Sequence, residues 1–251
     1  MKNPFLDFKN VTAANNNLPL DRIVEKHRQM MDELLGVYLS FDSDPVKEFC
    51  RLMTHCLNFN RYKIFLSSLE MPKLLASTLA VASTLYEAGF RLIRGINLAP
   101  GHIEEFCAFM GLSKTVAFEQ SAPLGLYISA LINASKERCF RLDLHNYPTS
   151  FHFLGFRLRE DKHLSVTGDL GHFTGAGLRG GYLKVTGSTG SWCGADMISG
   201  RIEVTGDAHS KIGEQMKGGQ IQVCGRIQEI AKDRSGGDIQ ASNVKAGTLA
   251  E

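Results

Sequence analysis

Several features that mark large functional classes are missing from this sequence. It has no basic tract or acidic tail, and 28 Lys plus Arg against 26 Asp plus Glu leave a net charge of +2, so composition gives no electrostatic reason to expect nucleic acid or an anionic membrane as a partner. No uncharged run reaches the roughly 20 residues that a membrane span needs. The opening MKNPFLDFKN lacks the pattern of a signal peptide. These absences predict a soluble, cytoplasmic protein.

Recognisable catalytic and disulfide motifs are also missing. The six cysteines form no CxxC pair and no regular spacing, and without an export signal they are expected to be free thiols. No GxSxG occurs, which excludes the nucleophile elbow of a serine hydrolase. We therefore predict no catalytic residues, no metal and no cofactor.

Glycine divides the chain into two different parts. Of the 25 glycines, 19 lie at or after Gly155, and before that point apolar residues recur at helical spacing. The predicted elements are helices over 21–39, 44–57, 74–87 and 102–110, and strands over 114–118, 139–144 and 151–158. Gly89 and Gly111 are expected to end the last two helices, and 74–87 is apolar enough to be a central, buried helix. Residues 1–158 should thus form a mostly helical, α+β domain.

From His163 the chain repeats with a period of 19 residues. The four copies are 163–181, 182–200, 201–219 and 220–238. Their second position holds Leu164, Leu183, Ile202 and Ile221, and their fourth holds Val166, Val185, Val204 and Val223. Their sixth position holds Gly168, Gly187, Gly206 and Gly225, and a further glycine column contains Gly175, Gly194 and Gly213. Lys232 breaks that last column, so the fourth copy is the least regular.

This period predicts a solenoid. A 19-residue unit has too little apolar surface to fold alone, so the copies must stack and bury one another's faces. Each copy opens with the apolar, polar, apolar alternation of a strand and then meets a glycine, and no copy has a helical stripe. The aliphatic columns should form interior ladders, and the glycines should form the corners. We expect a parallel β-helix of four or five coils over residues 159–242, followed by a polar tail at 243–251.

The repeat resembles a known family. The phrases GADMISGRIEVTG, starting at Gly194, and GEQMKGGQIQVCG, starting at Gly213, are similar to the glycine-rich (GXGXG-like) repeats in the β-helical subunit of formylmethanofuran dehydrogenase. They are more distantly similar to those of the C-terminal domain of the glutamate synthase large subunit. The resemblance covers about residues 160–240 and implies a right-handed β-helix that acts as a structural platform. Residues 1–155 resemble no family that we recognise.

Three functions stay open at this stage. The first is a non-catalytic scaffold that docks a protein partner or a second copy of itself. The second is an accessory subunit of a one-carbon (formyltransferase/hydrolase-like) or glutamate-synthase-like complex, which only the resemblance suggests. The third is a small-ligand module with a site in the cleft between the two halves. The platform role implied by the resemblance favours the first.

Some residues of the repeats have types that carry chemistry. His172 and His209 each follow an aspartate, Asp169 and Asp207, but they lie two coils apart, about 10 Å by strand spacing, which is too far for one metal ion. We expect exposed turn histidines, and aspartates that bind N–H groups in their own turns.

Four other side chains in the repeats have two interpretations each. Cys193 is either a reactive thiol or, as its apolar column favours, a packing residue. Cys224 is either a reactive thiol or a replacement within a stacked hydroxyl column that holds Thr167, Thr186 and Thr205. Phe173 and Trp192 share a column that is either core packing or a stacked partner surface.

Candidates before the repeats are weaker. His55 and Cys56 are adjacent on a predicted helix and therefore diverge by about 100°, and the Gly95–Gly101 loop lacks the Lys-Ser/Thr of a phosphate cradle. Asp143, His145 and Ser150 have the residue types of a catalytic triad without its context. We expect the apolar segment 139–158 to cap the N-terminal end of the solenoid, because an open coil end exposes unpaired backbone groups. The other end has only the irregular fourth copy and should be weakly protected.

Overall fold

The computed structural model describes residues 70–93, 100–112, 121–145, 147 and 150–244. The helices predicted over 21–39 and 44–57 and the strand predicted over 114–118 lie outside these residues. Within the described residues, three helices are followed by a parallel β-solenoid of about four turns.

The first two helices run through the glycines that were expected to end them. Helix α1 spans Glu70–Leu92 and helix α2 spans Pro100–Leu112. Gly89 is buried inside α1, and its carbonyl accepts a hydrogen bond from the Ile93 N–H at 3.1 Å. A glycine inside a helix costs only about 1 kcal/mol relative to alanine, which tertiary packing outweighs here. The predicted ends at Gly89 and Gly111 are therefore wrong.

The central, buried helix is a third one that the sequence patterns did not predict. Helix α3 spans Ser121–Ala134, and every described side chain from Ala122 to Asn133 is buried. In contrast, α1 exposes Ser77 and Thr84 on its outer side and buries only one face. The prediction that 74–87 is buried all round is wrong, because its small Ala, Ser and Thr side chains suit a solvent-facing stripe.

Six strands stack in sequence order into one parallel sheet. They are β1 (Cys139–Asp143), β2 (His163–Thr167), β3 (Arg179–Thr186), β4 (Ser199–Val204), β5 (Gln220–Ile227) and β6 (Asp238–Val244). Leu164 pairs with Leu183, Leu183 with Ile202 and Ile202 with Ile221, in the order that the repeat columns predict. All eight residues of the two aliphatic columns are buried. The outward-facing Lys184 lies in register with Glu203 of the next coil.

The glycine columns serve two different purposes. Gly194 has a φ of +68°, in the left-handed region that favours glycine. Gly206 has no positive φ, but a Cβ there would lie 2.7 Å from the Gly187 carbonyl oxygen. The column of Gly194 therefore needs positive φ, whereas the column of Gly206 has in common the close approach of a neighbouring coil, with positive φ only at Gly168 and Gly187.

The solenoid begins at β1, before the expected start at residue 159. Phe140 of β1 pairs with Leu164, and Leu142 pairs with Val166, in parallel register. Residues 151–158 form turns instead of the predicted strand, and the N–H of Arg157 bonds to the carbonyl of Ala176 in the next coil at 3.0 Å. The segment 139–158 is therefore a coil of the stack and not its cap.

Helix α3 covers the N-terminal end of the stack instead. The Ser129 hydroxyl accepts hydrogen bonds from the N–H groups of Gly155 at 3.0 Å and Phe156 at 3.2 Å. The Asn133 amide oxygen accepts a bond from the Arg159 N–H at 3.1 Å. Two polar side chains of α3 thus bind backbone groups of the first corner, including the buried N–H of Gly155.

A buried lysine fixes the connection between α3 and β1. Lys162 is only 2% exposed, and its ammonium donates to the carbonyls of Ser135 at 2.8 Å and Glu137 at 2.7 Å. Asp161 supplies the counter-charge at 3.0 Å. A lysine is buried only when paired in this way.

Candidate functional site: the C-terminal end of the solenoid

The two edges of the sheet are treated differently. At the first edge, the N–H of Arg141 on β1 donates to the Glu104 carboxylate of α2 at 3.2 Å. At the other edge, β6 pairs only with β5, and no described residue bonds to its far side.

The donors on this open edge follow from strand geometry. The N–H of Asp238 points back to the carbonyl of Gly219, at 2.9 Å. Because N–H groups alternate in direction along a strand, those of Ile239 and Ala241 point away from β5. The side chains of Ile239 and Ala241 are only partly buried against the core. The last coil thus offers two backbone donors beside an apolar layer, which is an edge that another strand can extend.

The rim of this end has charges of both signs. Lys232, Asp233, Arg234 and Asp238 are all exposed. Among these, Asp233 accepts a hydrogen bond from the Gln215 N–H at 3.3 Å. Alternating charge on an exposed rim suits a surface that meets an identical surface, because each sign can find its opposite.

A buried carboxyl lies one layer below the rim. Glu214 is 9% exposed, in the position that Ala176 and Ala195 occupy in earlier coils, and its Oε2 has no hydrogen-bond partner within the described residues. Burial raises its pKa to about 7, against the attraction of Lys211, and nearby Asp233 raises it further. Lys211 itself pairs with Glu229 at 3.1 Å. This end of the stack is therefore sensitive to pH.

Phe173 and Trp192 do not form a surface. They are 0% and 1% exposed, and with Phe153 they form a continuous ring stack, with centroids 4.5 Å and 5.0 Å apart. The packing interpretation fits these positions, and the partner-surface interpretation does not. These side chains are buried because the corner that carries them points into the stack. All three residues have a φ of about +60°.

The histidines differ from the expected exposed turn residues. His152 is buried and His172 half-buried, and their rings stack at 5.1 Å. The N–H of His172 donates to His152 Nδ1 at 2.8 Å, and the N–H of Ser191 donates to His172 Nδ1 at 2.9 Å. Burial lowers the pKa of His152 to about 3 and that of His172 to about 4. Of the two histidines predicted to be exposed in turns, His172 and His209, only His209 is exposed.

The aspartates bind between coils instead of within their own turns. Asp169 accepts a hydrogen bond from the N–H of Ser188, and Asp207 accepts one from the N–H of Arg226, each at 2.8 Å. Each bond crosses to the next coil, because corners of the same shape are stacked directly above one another. In the described part of the chain, no group of three or more His, Cys, Asp or Glu side chains is placed to hold a metal ion.

The two cysteines of the repeats lie in different environments. Cys193 is fully buried, and burial raises the pKa of its thiol to about 12, so it is a packing residue. Cys224 is exposed, in register with the outward-facing threonines of the earlier coils.

The weaker candidates are only partly brought together. Asp143 and His145 are exposed and joined by a hydrogen bond of 2.5 Å between Asp143 Oδ1 and His145 Nδ1, and this bond lowers the pKa of Asp143. Ser150 is exposed and makes no hydrogen bond to either of them. His55 and Cys56 lie outside the described residues, as does most of the Gly95–Gly101 loop, whose last two residues belong to α2.

Comparison with family models, curated proteins and solved structures finds no match to this chain. None of the described helices is both long and apolar enough to cross a membrane.

Proposed function

We propose that this protein is a non-catalytic assembly protein whose solenoid docks end to end with a second copy through β6. The observation that carries the proposal is the difference between the two sheet edges. At the first edge, the Glu104 carboxylate accepts a hydrogen bond from the backbone N–H of Arg141. At the last edge, the backbone N–H groups of Ile239 and Ala241 point outward. A solenoid end of this kind adds another strand unless something blocks it.

Charge on the rim favours a second copy as the occupant. In such a dimer, a two-fold axis passes beside the centre of β6 and pairs β6 of one protomer antiparallel with β6 of its partner. The same axis brings the charged rim of one protomer against the charged rim of its partner. Self-association then requires a rim that complements itself, and the mixture of Lys232 and Arg234 with Asp233 and Asp238 has this property.

The resemblance of the repeats to platform domains also supports a scaffold role. In those families the domain is a right-handed β-helix that holds other domains or subunits in place, and we propose the same handedness and role here. Membership of a one-carbon or glutamate-synthase-like complex rests on that resemblance alone.

The oligomeric state of the full chain tests the proposal. We expect light scattering after size exclusion to show a dimer that dissociates on dilution. Ala241→Pro removes an outward donor and places a ring on the open edge while keeping the N–H groups that bind β5, so it should give a monomer with little change in unfolding midpoint. Gln240→Ala changes a neighbouring exposed side chain and should leave the dimer intact.

Two results would overturn this proposal. One is a protein that stays monomeric at every concentration tested, up to a protein concentration about 100-fold above that at which the dimer is expected to form. The other is a dimer that Ala241→Pro leaves unchanged, since this places the contact elsewhere on the chain.

A further inference from the structure

A cleft separates α1 from the first two corners of the solenoid. It has a volume of about 390 Å³, within the range of about 300–1,000 Å³ that is usual for small-molecule sites. Its walls are formed by Tyr86, Glu87, Phe90, Arg157, Arg159, Glu160 and Arg179. Three of these seven residues are arginines, although the chain as a whole is nearly neutral.

The arginines face one another. Arg159 and Arg179 are bridge partners on adjacent coils, and like charges placed directly opposite destabilise a sheet. Burial lowers the pKa of Arg157, and the next largest cause is the positive charge of Arg179. Positive charge is therefore concentrated at one place in the stack.

The carboxylates near the cleft only partly neutralise this charge. Glu87 pairs with Arg157 at 3.0 Å, and Asp161 lies 3.8 Å from Arg159. The guanidinium of Arg179 has no ion pair or hydrogen bond to any described residue. Glu160 is exposed and adds its own negative charge to the wall, so three arginines against Glu87 and Glu160 leave the wall with a formal net charge of +1. An anion entering the cleft would meet guanidinium donors that are still available.

The cleft orients one arginine rigidly and has an aromatic side. Arg157 donates to Ser83 at 2.9 Å and lies over the rings of Tyr86 and Phe156, at 6.0 Å and 5.3 Å. Tyr86 stacks with Phe90 at 6.0 Å between centroids. A guanidinium fixed in this way loses little side-chain entropy when it binds a ligand.

A glycine keeps the space beside Arg157 open. Arg157, Gly177 and Asp196 follow one another at the same corner of successive coils, each with positive φ. A Cβ at Gly177 would lie 3.3 Å from Cγ of Arg157. Asp196 shows that a side chain is compatible with this corner, and the absence of one at Gly177 leaves the Arg157 side chain unobstructed.

We propose that this cleft binds a phosphate monoester carried on a compact aromatic body. The forked donors of arginine match phosphate oxygens, and an anion suits a cleft in which Arg179 has no ion-pair partner among the described residues and Arg159 has one only at 3.8 Å. The rings of Tyr86 and Phe90 give the organic part an apolar wall. This site is independent of the β6 edge, so either proposal can fail without the other.

Calorimetric titration of the full chain with phenyl phosphate tests the proposal. We expect saturable binding that weakens as salt is added, weaker binding of inorganic phosphate, and no binding of phenol. Arg159→Gln with Arg179→Gln should weaken phenyl phosphate binding by at least about tenfold. The matched pair Arg141→Gln with Lys184→Gln removes the same charge from exposed positions outside the cleft and should change binding by less than about twofold.

Gly177→Asn supplies a second variant that removes no charge. Asparagine tolerates positive φ, so the fold should persist while the new side chain displaces Arg157 and weakens binding. The proposal is overturned if phenyl phosphate does not saturate, if the two double variants lose affinity equally, or if inorganic phosphate binds as tightly as phenyl phosphate.

Discussion

Ser129 of α3 and Gly155 of the first corner are joined by a hydrogen bond of 3.0 Å between the serine hydroxyl and the glycine N–H. The same hydroxyl accepts a bond from Phe156 and donates to the carbonyl of Gly125 at 2.7 Å. A Cβ at Gly125 would lie only 1.9 Å from the carbonyl oxygen of His152. The helix can therefore lie directly on the coil, which is how the N-terminal end of the stack is closed.

Loss of the Ser129 hydroxyl should weaken this cap. Ser129→Ala leaves the buried N–H of Gly155 without an acceptor, whereas the N–H of Phe156 keeps the Phe153 carbonyl at 3.1 Å. We expect the substitution to lower the free energy of unfolding by about 1–3 kcal/mol. Urea denaturation followed by circular dichroism measures the change. Thr84→Ala removes an exposed hydroxyl that bonds only within α1 and should change the free energy by less than about 0.5 kcal/mol. Equal effects of the two substitutions would contradict the cap.

A charge placed in the aliphatic ladder should unfold the solenoid. Val185 is 0% exposed between Val166 and Val204. Val185→Asp should therefore lower the free energy of unfolding by several kcal/mol, because the new carboxylate is either buried without a partner or forced to take up a proton. Thr186→Asp makes a similar change at the next, exposed position and should be tolerated. Thermal melts of the two variants provide the comparison, and a stable Val185→Asp protein would be inconsistent with the packing described here.

Stability should fall as the pH is raised from about 4.5 to about 7 because of Glu214. Its pKa in the folded protein, about 7, is above the ordinary value of 4.5, so between these values the folded state holds a proton that the unfolded state has lost. The resulting stabilisation is complete below about pH 4.5 and is lost as the pH rises to about 7. Glu214→Gln should flatten this part of the pH profile in denaturant titrations, whereas the exposed Glu137→Gln should leave it unchanged.

The buried histidines should have the opposite effect at low pH. Because the pKa values of His152 and His172 are lowered to about 3 and 4, the unfolded chain takes up protons below about pH 6.5 that the folded chain refuses. Each histidine then lowers the free energy of unfolding by up to about 1.4 kcal/mol per pH unit. His172→Asn can still accept the Ser191 bond and should reduce this slope by about one proton. An unchanged slope, or an equal reduction in the exposed His163→Asn, would refute this role.

The pattern of the repeats predicted their structure well, because the contacts are local and identical from coil to coil. Leu183 pairs with residues 19 positions before and after it, so the register can be read directly from the spacing. The first coil could not be found in this way. From residue 139 to residue 163 the spacing is 24 positions instead of 19, which hides β1 from a search for the period.

The candidate sites depended on contacts that have no period. Trp192 was open to a surface interpretation because an aromatic column looks the same in sequence whether its corner turns inward or outward. The arginine cleft joins α1 to Arg157 and Arg179, residues about 70 and more positions away from Glu87. Nothing in the sequence indicates that the carboxyl of Glu214 is buried, because the residues that bury it are its neighbours in the stack and not along the chain.

By itself, the sequence determined a stack of four 19-residue coils with an aliphatic interior, since each coil repeats the same alternation and the same bends. The tertiary structure alone decided where the stack begins, which helix closes it, which sheet edge no described residue pairs with, and where the arginines gather. These features depend on how the helical segment packs against the coils, and no periodic pattern encodes a contact that occurs only once.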